Sequence, residues 1–139
     1  MSRRKARDIT FKYIYSTLYG KCAEEDALES IITADPEDIK ALEGDEKEYF
    51  SKVKEGIEEH KEEIDEIILS KLKNWTIDRI FKIDLAILRL AVYEIMYFES
   101  MPVKVAVNEA VELAKKYGND ESSNFVNGVL REIIKIKES

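Results

Sequence analysis

The residues best placed to do chemistry stand at the start of the chain, where Arg3, Arg4, Lys5 and Arg7 fall within five positions. On a helix, positions three and four apart share a face, so Arg3, Arg4 and Arg7 would present their guanidinium groups together. That face lies at the positive end of the helix dipole, where each cation is disfavoured by roughly 0.3–1 kcal/mol. Local helix energetics works against the arrangement. An anionic ligand would account for it, because guanidinium forks match phosphate geometry and a helix start offers free N–H donors. A solvated Lys/Arg-rich start is the plainer reading, and both stand on these residues alone. Tyr15 and Tyr19 lie one turn apart in the same segment, and Tyr117 and Phe125 flank a later loop. Aromatic rings beside arginines are what single-stranded RNA recognition uses, with bases stacked on rings and cations on phosphates. The same spacing also fits helices that bury their aromatic faces.

The net charge of -7 argues, by itself, against a nucleic-acid partner. Its distribution reverses that argument. Residues 1–22 hold six cations against Asp8 alone, a surplus of five, so the remainder of a chain at -7 carries -12. A chain so polarised suggests two surfaces with different partners.

Other chemistries find little support. No HExxH, CxxC, GxSxG or P-loop pattern occurs, and His60 is the single histidine. His60 falls on an apolar stripe without a His or Cys companion and reads as a packed or partly exposed helix residue. Cys22, the one cysteine, permits no intramolecular disulfide and reads as an inert thiol. Carboxylates are plentiful, but no spacing singles out an acid/base pair. The expectation is a binding protein rather than an enzyme, with no cofactor and no metal. The longest apolar stretch, 85–98, is interrupted by Arg89 and Glu94. It falls short of the roughly 20 residues that a membrane span needs. No apolar segment follows the basic start, so no signal peptide is expected and a cytoplasmic location is.

The elements that must position these residues are helices. Only 5 Gly and 2 Pro interrupt 139 residues, too few for a many-stranded fold. A first helix is expected over about 3–19 and a second over 24–34, with a weak turn at 36–42. Gly44-Asp45 opens the longest pattern, with Phe50, Val53, Ile57, His60, Ile64 and Ile67 as one stripe. Residues 84–99 are apolar on almost every side, which predicts a central helix whose charges, Arg89 and Glu94, must find partners. Pro102 fits the start of the next helix and Gly118 its end. Ser122 or Asp120 would cap a last one bearing Phe125, Val126, Val129, Leu130 and Ile133. The fold class expected is all-α, a compact bundle of about seven helices in one domain over 1–139. Its two small helical subdomains would divide at about 1–72 and 73–139.

Three runs in the second half carry a resemblance. Ile87-Leu88-Arg89-Leu90-Ala91-Val92-Tyr93-Glu94-Ile95 comes first. The motif around Met101-Pro102-Val103-Lys104-Val105-Ala106-Val107-Asn108-Glu109-Ala110 follows, and then Phe125-Val126-Asn127-Gly128-Val129-Leu130. Together they closely resemble the NusB transcription antitermination family. Arg4-Lys5-Ala6-Arg7 and Leu18-Tyr19 are similar to that family's opening helix, and the likeness is weakest over 21–47. The resemblance implies a factor that binds the boxA element of ribosomal RNA leader transcripts with a small-subunit ribosomal protein, called NusE in this role. RNA polymerase and other Nus factors would complete the assembly and promote complete rRNA transcription. It further implies that Arg3, Arg4, Lys5, Arg7, Tyr15, Glu121 and Phe125 contact RNA, and that Asp78 and Asp84 serve the ribosomal-protein partner. The alternative is a homodimeric helical interaction module without a direct RNA role. An accessory domain of an rRNA methyltransferase is a third reading, disfavoured here because no Gly-rich Rossmann segment occurs.

Overall fold

The computed structural model describes residues 3–18, 35–72, 75–98 and 101–138, apart from the side chains of Arg3 and Glu138. Among these residues the chain forms seven α-helices and no strand. They are α1 (Arg3–Thr17), α2 (Pro36–Lys40), α3 (Gly44–Glu59), α4 (Lys61–Leu69), α5 (Lys82–Tyr97), α6 (Val103–Tyr117) and α7 (Ser122–Glu138). A single 3-10 turn, Ile77–Arg79, leads into α5. No helix among the described residues is long and apolar enough to cross a membrane. The helix expected over 24–34, together with Tyr19 and Cys22, lies outside the described residues.

Because α5 has no polar face, it can be stable only when surrounded. Every residue from Ile83 to Ile95 is buried, and α1, α3, α4, α6 and α7 all pack around it. One hydrophobic core runs from Ala6 on α1 through α5 to Ile133 on α7. Ile9, Leu42 and Phe50 form a smaller cluster that seals α1 against α3. Two of the charges inside α5, Arg89 and Glu94, are paired, as burial requires. The Arg89 fork donates to both Asp65 oxygens on α4, each at 2.9 Å.

The long helix expected after Gly44 is two helices that meet at His60. That residue leaves helical geometry (φ -107, ψ 17) and stacks its ring on Tyr97, with centroids 4.1 Å apart. Its Nδ1 lies 2.7 Å from Glu63. The joint also re-phases the buried stripe, so that α4 buries Ile64 and Ile68 instead of Ile67. Pro102 precedes α6 and Gly118 ends it, as expected. Between α6 and α7 the cap is shared. Asn119 N–H donates to Ser122 Oγ at 3.0 Å, and Glu121 N–H donates to Asn119 Oδ1 at 2.8 Å.

Gly56 on α3 marks the closest approach in the core, since a Cβ there would overlap the Tyr93 ring of α5. Tyr93 has little room to retreat, being buried and packed against Tyr97 and Phe98 at 5.7 and 6.4 Å. Alanine is favoured over glycine in a helix by about 1 kcal/mol, whereas overpacking a core costs about 1–3 kcal/mol. Overpacking wins. Gly56→Ala should lower the free energy of unfolding in urea by about 1 kcal/mol, and a gain in stability would show that the ring has room to move.

Candidate nucleic-acid interface

The cationic start of α1 is divided between the interior and the surface. Arg7 is only 3% exposed. Its Nε and Nη2 donate to Glu94 Oε2 on α5 at 3.1 and 3.0 Å. The Tyr49 hydroxyl on α3 donates to that same oxygen at 2.6 Å. Arg7 Nη1 lies 3.5 Å from Glu109 on α6. Burial works to lower the Arg7 pKa, but Glu94, Tyr49 and Glu109 outweigh it and hold the cation charged. Expected on sequence grounds to face a ligand, Arg7 faces carboxylates of its own chain. An internal anion therefore supplies the reason for its charge that the helix dipole seemed to demand from outside.

Arg4 lies one turn earlier and turns outward, its side chain 73% exposed. Its Nε and Nη2 donate to the two Glu109 oxygens at 3.1 and 2.7 Å. The hydrogen bond from Arg4 holds Glu109 below the ordinary carboxylate range; burial opposes this, and the Arg7 and Arg4 charges add to it. Lys5 is exposed beside Arg4, and the Arg3 side chain lies outside the described residues.

A groove of about 570 Å³ runs from Arg4 between α6 and the first turns of α7, lined further by Asn108, Lys115, Ser123, Asn124 and Asn127. The basic start and the segment around Phe125 are thus brought to one surface, with α6 between them. Phe125 itself is half-buried, and its ring lies 6.0 Å from Trp75, which is 43% exposed. Glu121 is exposed in the turn just before α7.

Tyr15 is not on this surface. It is 4% exposed and stacks on Phe11 at 6.3 Å, which in turn stacks on Tyr117 at 5.0 Å. The column is core, because the aromatic face of α1 turns toward α5 and α6. The Tyr117 hydroxyl donates to Asp8 at 2.6 Å, and Lys12 and Lys116 lie 3.3 and 3.4 Å from the same carboxylate. Burial pushes Asp8 upward, but Tyr117, Lys12 and Lys116 together hold it below its ordinary value.

The two acidic residues assigned to a protein partner are not brought together. Asp78, in the 3-10 turn, is exposed and lines a groove of about 440 Å³ with Tyr13, Lys54, Lys82 and Arg89. A hydrogen bond from Thr76 is the main cause of its lowered pKa. Asp84 is 5% exposed within α5, with one oxygen lacking any partner among the described residues. Burial raises its pKa, and only Ser122 at the start of α7 pulls the other way.

Glu109, Asn108, Asn124, Asn127 and Trp75 were not singled out from sequence as site residues. Glu109 carried only a weak signal, as one charge among several on an amphipathic, alanine-rich helix. The asparagines carried none, since an amide follows no helical periodicity.

Fold and site together define an all-helical protein whose basic first helix opens onto an amide-lined groove between α6 and α7. The chain matches the NusB family over residues 4–135. It is 42% identical to the transcription antitermination protein NusB of Clostridium botulinum (strain Hall), over 96% of this chain and 100% of that protein. T. maritima NusB superposes with a TM-score of 0.80 at 31% identity, covering 97% of this chain and 92% of the other. A chain from the crystal structure of antitermination factors NusB and NusE in complex with dsRNA superposes at 0.77 with 33% identity, covering 96% of each. This chain belongs to the NusB family.

Removing one partner from a buried ion pair costs about 3–5 kcal/mol, because the other charge is left uncompensated. Arg7→Met and Glu94→Leu should each destabilise by that order, and the double variant by much less than their sum. Additive losses in a double-mutant cycle would mean that the pair is not coupled.

Acid should weaken the fold through Glu109 and Asp8. Both pKa values are lowered by folding, so the stability they add is complete above about pH 4, the ordinary carboxylate value, and is lost as pH falls through their lowered folded values. Asp84, raised on folding, contributes with the opposite sign. The thermal midpoint should fall as the pH drops below about 4, and less steeply in an Asp8→Asn, Glu109→Gln variant. Equal slopes for the two proteins would remove these groups from the acid transition.

Proposed function

We propose that this protein is a transcription antitermination factor that binds boxA RNA of ribosomal RNA transcripts together with the ribosomal protein acting as NusE. The observation that carries the proposal is the shared groove of Arg4, Lys115 and Asn124, with Phe125 the next residue of α7. Arg3, Arg4 and Lys5 take phosphates, while Phe125, backed by Trp75, offers a base a stacking surface. Glu121 lies at the edge of that surface. Arg7 and Tyr15 serve the RNA face from beneath, by fixing the rotation of α1 about its axis. Asp78 is the exposed contact for the ribosomal protein, and Asp84 holds the α5 start that follows the 3-10 turn.

Electrostatics supports this division. Three cations on a single strand give a salt slope near -0.7 per phosphate neutralised, a modest affinity. The remainder of the chain, at -12, repels RNA but attracts a basic ribosomal protein. RNA polymerase and other Nus factors would then act on the assembled pair. The role is one of binding in the cytoplasm, without catalysis.

The test is a titration of boxA-containing single-stranded RNA, with and without NusE, at several salt concentrations. NusE should tighten binding. Arg4→Gln and Lys5→Gln should each weaken it and reduce the salt slope by about 0.7. If the double variant keeps the wild-type affinity and slope, the RNA face lies elsewhere.

A further inference from the structure

The groove that begins at Arg4 does not end at Asn127. Asn108 and Asn127 also line a second groove of about 480 Å³, which continues between α6 and α7 to Lys104 and Arg131. The two grooves share these two asparagines and so form one path along the helix pair. From Ser123 to Arg131 the path follows nine residues of α7, about 12 Å of helix.

The side chains along it are unusual for an acidic protein. Lys104 and Arg131 have no carboxylate partner among the described residues, and the Asn108 and Asn127 amides have no hydrogen bond there. The carboxylates that line the path, Glu109 and Glu112, are already paired with Arg4 and Lys115. The groove is therefore a cationic strip on a chain of net charge -7. Unpaired amides between cations offer donors and acceptors to base edges, and an asparagine amide can take both at once. Single-stranded RNA leaves its Watson–Crick edges open to such groups, whereas a duplex occupies them in pairing.

Resting on the RNA-binding function proposed above, we infer that the α6–α7 groove extends the RNA path beyond Phe125 and Arg4. Lys104 and Arg131 hold phosphates at its far end, and Asn108 and Asn127 read the bases between. The occupant is single-stranded RNA longer than the segment held at the start of α1.

The experiment titrates the full chain with two fluorescent single-stranded RNAs, a boxA-containing 12-mer and the same sequence shortened by about half. Lys104 and Arg131 are exposed, so Lys104→Gln with Arg131→Gln should leave the thermal midpoint unchanged. That double variant should bind the 12-mer about tenfold more weakly, with the salt slope reduced by about 1.4 for two phosphates. Binding of the short RNA should not change. Asn108→Ala with Asn127→Ala should weaken the 12-mer at every salt concentration and leave the slope as it is, because amides release no counterions. If Arg4→Gln weakens the 12-mer while the Lys104, Arg131 variant binds it as wild type does, the extension is wrong and the groove is left to a protein partner. If the wild type binds neither RNA, the RNA-binding function itself fails, and the extension with it.

Discussion

The buried ion pair between Arg7 and Glu94 is the constraint on which the arrangement of α1 depends. Taking a guanidinium and a carboxylate out of water costs several kcal/mol for each ion, and their attraction offsets this only when the remaining hydrogen-bonding capacity is filled. Here it is filled from four helices. Arg7 comes from α1, Glu94 from α5, Tyr49 from α3 and Glu109 from α6. Such a set can be satisfied with α1 in one rotation and one register. With Arg7 turned inward, the residue one turn earlier must lie at the rim, which is where Arg4 reaches Glu109 and the groove. The interior thus decides which cations the surface receives.

The same constraint explains why the site was only half legible in the sequence. Spacing showed that Arg4 and Arg7 share a face, but not that the face would straddle the boundary of the core. Which side of a helix is buried depends on the partner helix, and Glu94 is 87 residues away in sequence. The need for partners at Arg89 and Glu94 was readable, since both lie in a helix with no polar side; their identities were not. Tyr15 shows the limit from the other direction. A ring beside arginines suits RNA stacking and core packing equally, and only the position of Phe11 and Tyr117 decides for the core.

Fold class was far more legible than helix boundaries. The apolar run of α5 and the proline, glycine and alanine signals of α6 leave few alternatives to a surrounded helix and its close neighbour. The break at His60 had no such signal, because no proline or glycine stands there. It follows from the ring stacking on Tyr97, a tertiary contact between α5 and the joint of α3 and α4. A continuous stripe was the correct reading of local periodicity and the wrong reading of the fold.

Glu109 gives the proposed RNA face a property that a simple cationic patch would lack. Arg4 reaches Glu109 from the solvent side, where water and salt screen the pair, so a phosphate can compete with the carboxylate for the guanidinium. Meanwhile the pair restricts a long, flexible side chain and holds it over the groove before RNA arrives. The ordering offsets part of the competition, so an acidic residue in the middle of such a face is compatible with anion binding. What Glu109 cannot supply is net positive charge. On a chain whose remainder carries -12, that shortfall falls to the partner. A basic protein docked on the acidic side would reduce the long-range repulsion of RNA without touching the groove, because potentials add over the whole surface. The charge distribution thus favours the proposed dependence on a basic partner, before any contact between partner and RNA is considered.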